Sequence, residues 1–107
     1  MSDAVIEVAE IRLADGKTEA DLLRASRRFQ KEFLSEQEGF LSRDLVCGDD
    51  GEYADIVRWE TEAAARAIME KATDSPACLA YFAVMAMESD DPAEGVSHFR
   101  VLSTYGA

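Results

Sequence analysis

Apolar and polar positions along the chain fall into a regular succession of short periods. Residues 4–13, AVIEVAEIRL, are β-branched or apolar with interruptions at Glu7, Glu10 and Arg12, and they run into the turn-like pair Asp15-Gly16. Such a stretch predicts a first strand. Thr18, followed three residues later by Asp21, offers a helix N-cap with an acid in the first turn, and Leu22, Ala25, Phe29 and Phe33 recur at helical spacing. The pattern predicts an amphipathic helix from about Thr18 to about Gln37, closed by Gly39 as its C-terminal cap. Leu41, Arg43, Leu45 and Cys47 then alternate with Ser42, Asp44 and Val46, the period of two that defines a second strand. GDDG at 48–51 is a hairpin loop, since Gly and Asp tolerate the positive φ of a tight return, and YADIVRW is the third strand. Thr61 caps the alanine-rich helix EAAARAIMEKA. Ser75-Pro76 begins a further short helix reaching to about Met87, with the proline at its first position. ESDDPAEG is an acidic connection, and VSHFRVL at 96–102 reads as a fourth strand.

The order is β-α-β-β-α-β, which predicts an α+β fold of ferredoxin-like type: one four-stranded antiparallel sheet with the helices on one face. No repeat, low-complexity tract or linker divides the chain, so residues 1–107 form a single domain. A sheet covered on one side leaves the other open. In the third strand Tyr53, Asp55, Val57 and Trp59 share one side and Ala54, Ile56 and Arg58 the other; in the fourth, Phe99 and Val101 oppose His98 and Arg100. Neither side of the third strand is cleanly polar. Large apolar groups on a second face call for a partner, and a homodimer in which two sheets meet is expected.

Composition narrows the partners. A domain of 107 residues hides roughly two thirds of its unfolded surface without a covalent staple. The formal charge of −11 repels phosphate backbones, so no nucleic-acid partner is expected. Arg24, Arg27, Arg28 and Lys31 cluster on the first helix; they make either a docking patch for an anionic partner or a solvated face on which Arg28 and Glu32 pair. No apolar run approaches the roughly 18 residues a span requires, and the first 14 residues lack a basic start with an apolar core. No membrane association is expected. Cys47 and Cys78 lie far apart without metal-ligand spacing and are expected to be buried, reduced thiols, which suits a cytoplasmic protein.

GFLSRDLV, the acidic hairpin loop, YADIVRWETEAAARA and SPACLAYF together resemble the antibiotic biosynthesis monooxygenase type of domain, of the dimeric α+β barrel superfamily. The resemblance extends from the first strand to HFRVL, and its most recognisable pieces are Gly39-Phe40 and Trp59-Glu60-Thr61. It implies a homodimer whose sheets build a barrel with the helices outside, and a ligand cleft between the sheet and helices of each subunit. Some members oxidise aromatic quinols with molecular oxygen and no cofactor, some degrade haem, and some act on autoinducer-type sugars. On this resemblance the expected function is a cofactor-independent monooxygenase-like activity on a small aromatic or quinol-type metabolite. The alternative is a non-catalytic small-molecule-binding or dimerisation module. Trp59, Tyr53, Phe33 and Phe40 are the candidate substrate-contacting residues. Trp59 in particular stands where strand hands over to helix, either as a stacking surface for a flat ligand or as a core aromatic fixing the helix angle.

Cofactor-free oxygenation asks for a dry pocket, a base that draws a proton from an acidic phenol or carbon, and a donor that holds the resulting anion. His98 is the only histidine, the side-chain type that trades protons near neutral pH. Arg100, two residues on, shares its strand face and is the candidate anion holder; Asp55 is the third candidate catalytic group, since a buried carboxylate has a raised pKa. Asp55 has a structural alternative as an ion-pair partner of Arg43 or Arg100. Haem-degrading members carry an Asn on the first strand, a Trp on the second helix and a His after it. Here Ile11 occupies the first place, the second helix has no aromatic, and SPACLAYFAVM has no histidine. Met69, Met85 and Met87 are read as core filler rather than iron ligands. Glycine-rich phosphate loops and nucleophile turns are absent, one histidine supports no clustered metal site, and Asp49-Asp50 and Asp90-Asp91 read as solvated turn residues.

Overall fold

The computed structural model describes residues 3–86 and 95–106. Its elements are β1 (Val5–Ile11), α1 (Glu19–Glu32), a 3₁₀ turn (Leu34–Glu36), β2 (Phe40–Cys47), β3 (Tyr53–Trp59), α2 (Glu62–Ala72), α3 (Pro76–Phe82) and β4 (Val96–Arg100). The strands form one antiparallel sheet in the order β2-β3-β1-β4, with β1, the first strand, paired to both β3 and β4.

The helix starts follow the capping residues. Thr18 Oγ1 accepts from the Asp21 amide at 3.2 Å while the Asp21 carboxylate accepts from the Thr18 amide at 2.9 Å, a reciprocal capping box. Thr61 Oγ1 caps α2 through the Ala64 amide, and Ser75 caps α3, with Pro76 in the first turn where no amide hydrogen is needed. The first helix ends earlier than its spacing predicts. It stops at Glu32, and Phe33 leaves helical geometry (φ −129°, ψ −62°) before the 3₁₀ turn. The break lets consecutive Phe33 and Leu34 both be buried, which a continuous helix would separate by about 100° of rotation. Gln37 Nε2 donates to the Phe33 carbonyl at 3.0 Å, so the broken turn is closed by a side chain. The last helix likewise ends at Phe82, short of Met87. Met87 and Asp90-Asp91 lie outside the described residues.

Strand register decides what each face carries. Val5, Glu7, Ala9 and Ile11 of β1 are in phase with Trp59, Val57, Asp55 and Tyr53 of β3, and with Arg100, His98 and Val96 of β4. This is the face on which the helices pack, over a core that includes Leu22, Phe29, Phe33, Leu34, Trp59, Ala65, Ile68, Cys78 and Tyr81. The opposite face has no helix over it among the described residues. Its centre is apolar, with Ile6, Val8, Val46, Ala54, Ile56 and Phe99, and Phe99 is 56% exposed; Ser42, Asp44, Arg58 and Glu10 flank that band. Cys78 is buried as its sequence position suggests, whereas Cys47 is exposed. Cys47 ends an edge strand beside the hairpin turn, where no helix reaches it.

Gly39 sits where the backbone passes close to α2. Its φ is +83°, and its carbonyl accepts from the Glu60 amide at 2.8 Å, clamping the start of β2 to the β3–α2 junction. A Cβ there would stand 2.6 Å from Ala64 Cβ on α2. Gly39→Ala therefore combines a left-handed backbone with an overpacked contact and should destabilise the fold by about 1–3 kcal/mol in urea unfolding. A midpoint equal to that of the parent would contradict the clamp.

Candidate functional site

Two acidic side chains point from the sheet into the layer beneath the helices. Asp55 lies at the middle of β3, is 5% exposed, and both of its oxygens are engaged. Arg43 Nε donates to Oδ1 at 2.9 Å and the Tyr81 hydroxyl donates to Oδ2 at 2.7 Å. The Arg43 guanidinium, equally buried, has no idle donor edge: it donates to Gln30 Oε1 at 3.1 Å, to the Ser26 hydroxyl, to the Ser26 carbonyl at 3.4 Å and to the Tyr81 oxygen at 3.1 Å. Its plane lies over the rings of Phe29 and Tyr81, 5.0 and 5.4 Å from their centroids. Burial raises the Asp55 carboxyl above its ordinary range, and the Arg43 charge with the Tyr81 hydrogen bond pulls it back toward the anion. Tyr81 is pushed strongly upward by burial and by the neighbouring Asp55, so it stays a neutral hydrogen-bond donor. The pairing of Asp55 with Arg43 is thus the outcome of the hairpin register, one of the two partners its sequence position suggests.

Glu7, on β1, is the second acid. It is 6% exposed, sits directly opposite His98 across the β1–β4 ladder, and its Oε1 lies 3.1 Å from His98 Nε2. Burial raises its carboxyl above the usual carboxylate range; the His98 hydrogen bond and charge act against the rise, and Asp55 adds to it. Glu7 is in phase with Val5, Ala9 and Ile11, which places an acid in the middle of an otherwise apolar row.

The two carboxylates share an apolar cavity of about 70 Å³, whose other walls include Phe29, Phe33, Ile68, Met69 and Phe82. A second, open groove of about 480 Å³ lies at the β4 edge, bounded by Asp3, Val5, Thr61, Glu62, His98 and Arg100.

The residues expected from sequence to form a site divide between these places. Asp55 and Phe33 line the cavity, while His98 and Arg100 line the groove. Trp59 is wholly buried at the end of β3, edge-on to Phe40 at 5.8 Å, with its indole Nε1 lacking a hydrogen-bond partner among the described residues. Neither ring borders the cavity. Tyr53 is half-buried at the far end of the sheet and donates to Glu19 Oε1 at 3.1 Å. Met69 lines the cavity and Met85 packs on the core. Among the described residues no cluster of His, Cys, Asp and Glu has metal-binding geometry, and no helix is long and apolar enough to cross a membrane.

The sheet order and the single helical layer define a ferredoxin-like α+β domain. A family model for antibiotic biosynthesis monooxygenases matches residues 4–84, and the chain belongs to that family. Solved structures agree in fold. The cofactor-independent oxygenase SnoaB of Streptomyces nogalater superposes with a TM-score of 0.72 at 21% identity, covering 96% of this chain and 97% of that one. A candidate antibiotic biosynthesis monooxygenase of Bordetella bronchiseptica gives 0.75 at 17% identity over 95% and 100% of the two chains. A haem-degrading protein of Mycobacterium tuberculosis gives 0.58 at 18% identity over the full length of both. No curated protein sequence matches the chain.

Proposed function

We propose that this chain is a cofactor-independent, monooxygenase-like enzyme acting on a small hydroxylated aromatic or quinol-type metabolite. The observation that carries this reading is the pair of buried carboxylates, Glu7 and Asp55, on the wall of an otherwise apolar cavity. A base in such a place has its proton affinity raised by desolvation, which suits it to draw a proton from an acidic phenol or activated methylene. Asp55 is fully occupied by Arg43 and Tyr81, so its part is electrostatic and positional. The Glu7–His98 pair holds the exchangeable proton, and Arg100 on the groove is the cation available for an anionic end of the ligand. Phe33 contacts the substrate rings; Trp59 and Phe40 support the junction of β3 with α2, and Tyr53 ties the other end of β3 to α1.

The chemistry balances without a protein-bound redox group. The base removes one proton from an activated CH₂, and the carbanion passes one electron to dioxygen. The radical pair then joins through a C–O bond and regains the proton as a hydroperoxide. Loss of water from that hydroperoxide leaves a C=O, so that CH₂ and O₂ become C=O and H₂O. Membership of the antibiotic biosynthesis monooxygenase family and the fold shared with the cofactor-independent oxygenase SnoaB support this reaction class. Haem degradation is less well supported, since Ile11 is a buried core residue, α2 has no aromatic and α3 no histidine.

A non-catalytic ligand-binding or dimerisation module of the same fold is the second reading, and cavity size favours it. Pockets for whole small molecules usually span about 300–1,000 Å³, against about 70 Å³ here. That volume takes dioxygen and the edge of one ring, so oxygenation requires the helices to part when substrate binds. The apolar band on the uncovered sheet face supports a homodimer, with Phe99, Ile56, Ile6 and Val8 at its centre.

Oxygen consumption from 1,8-dihydroxyanthrone and a panel of smaller hydroxylated aromatics, each corrected for its spontaneous oxidation, tests the enzyme reading. Uptake well above background with a quinone-type product is expected; background rates across the whole panel favour the binding module. Light scattering at micromolar concentration should report twice the mass of one chain, and a monomer would refute the sheet-to-sheet dimer.

A further inference from the structure

Glu7 borders the inner cavity but not the groove, and His98 borders the groove but not the cavity. The two are directly cross-strand on β1 and β4, with Glu7 Oε1 and His98 Nε2 3.1 Å apart. Their side chains are 8% and 25% exposed, so one end of the pair is dry and the other is wet. A single hydrogen bond therefore links a residue on the wall of the apolar cavity to one on the wall of the groove.

We propose that Glu7 and His98 form a proton relay through the edge of the sheet, in which Glu7 takes the proton from a ligand in the cavity and His98 passes it to the groove. This inference rests on the oxygenase reading above, and it assigns the proton-accepting role at the reacting atom to Glu7 rather than to His98. The direction follows from geometry. His98 has no surface on the cavity, so a proton leaving a bound ligand meets the carboxylate first.

The charges around the pair fit the transfer. Asp55, facing Glu7 from β3, adds to the rise that burial causes in its proton affinity, while Arg43 of β2 compensates Asp55 and is fully engaged there. On the wet side Glu62 of α2 acts electrostatically with His98, and Asp3 and Arg100 complete the rim. The imidazole borders the groove, so solvent there takes the proton from it. In the return step the relay runs backwards, restoring the proton that the hydroperoxide needs.

Two measurements test the relay, one of them independent of turnover. In ¹³C-carboxyl NMR the Glu7 titration midpoint should move upward in His98→Gln, because the charge that holds it down is removed while side-chain bulk is kept. In oxygen uptake from 1,8-dihydroxyanthrone, Glu7→Gln should lose a factor of about 10²–10⁴ in kcat, the range of a lost general base. His98→Ala should lose less and recover on addition of imidazole, which can enter from the groove, whereas imidazole should leave Glu7→Gln unchanged. A purely structural histidine would show no such rescue. The relay is overturned if Glu7→Gln turns over at the parental rate, if imidazole fails to raise the rate of His98→Ala, or if the Glu7 midpoint stays fixed in His98→Gln. If the parent itself consumes no oxygen above background, the oxygenase reading falls, and the carboxyl titration alone decides whether the two groups share a proton.

Discussion

A charge buried under helices is tolerable only when every polar edge of it is met, and the Arg43–Asp55 pair satisfies that condition with groups drawn from four elements. Arg43 comes from β2, Asp55 from β3, Ser26 and Gln30 from α1, and Tyr81 from α3. Removing two ions from water costs several kcal/mol each, and the bonds that offset this are directional. The same bonds therefore dictate how α1 and α3 sit on the sheet. The stacked rings of Phe29 and Tyr81, 4.7 Å apart, close over the guanidinium and complete the wedge. The cavity lies beside this knot, with Asp55 as a member of both. Its shape is a consequence of where the ion pair holds the helices.

The sheet divides its labour by face and by strand. Toward the helices it presents a row of apolar residues broken by two acids, and these acids give the cavity its chemical character. Toward the outside it presents an apolar band whose widest residue, Phe99, sits on the edge strand β4. His98 and Phe99 are neighbours in sequence on opposite faces, so the strand that contributes to the proposed relay also contributes to the proposed dimer contact. A change in how β4 packs on a second subunit would be felt at the Glu7–His98 bond through one peptide unit. Site and assembly are mechanically close in this fold.

Much of the architecture was legible in the residues. Period-two alternation located β2 and β3, and Thr18, Thr61 and Ser75-Pro76 located three helix starts, because capping is a local property of two or three neighbouring residues. The break at Phe33 was not legible: helical spacing continues through it, and only the burial of adjacent Phe33 and Leu34 against the sheet makes the 3₁₀ turn preferable. Cys47 was expected inside as a reduced thiol without metal-ligand spacing, but it ends an edge strand, which has a neighbour on one side only. Of the site, Asp55 and its Arg43 partner were readable from hairpin register, and Phe33 from the apolar stripe of α1. Glu7 was missed, although an acid in phase with Val5, Ala9 and Ile11 was the available signal. Tyr81 and Ser26 had no such signal, since their meeting with Asp55 depends on how distant helices cross the sheet. Trp59, conspicuous at its junction, packs with Phe40 in the core, while the less conspicuous glutamate faces the cavity.

The dependence of the fold on the Arg43–Asp55 knot is tested most directly by a double-mutant cycle in urea, using Arg43→Met, Asp55→Leu and the two together. Each single change strands a buried charge and should cost about 3–5 kcal/mol, whereas the double change removes both charges and should cost clearly less than the sum of the two. Single changes that leave stability within about 1 kcal/mol of the parent, the range of an exposed ion pair, or a strictly additive double, would contradict the central place given to this pair.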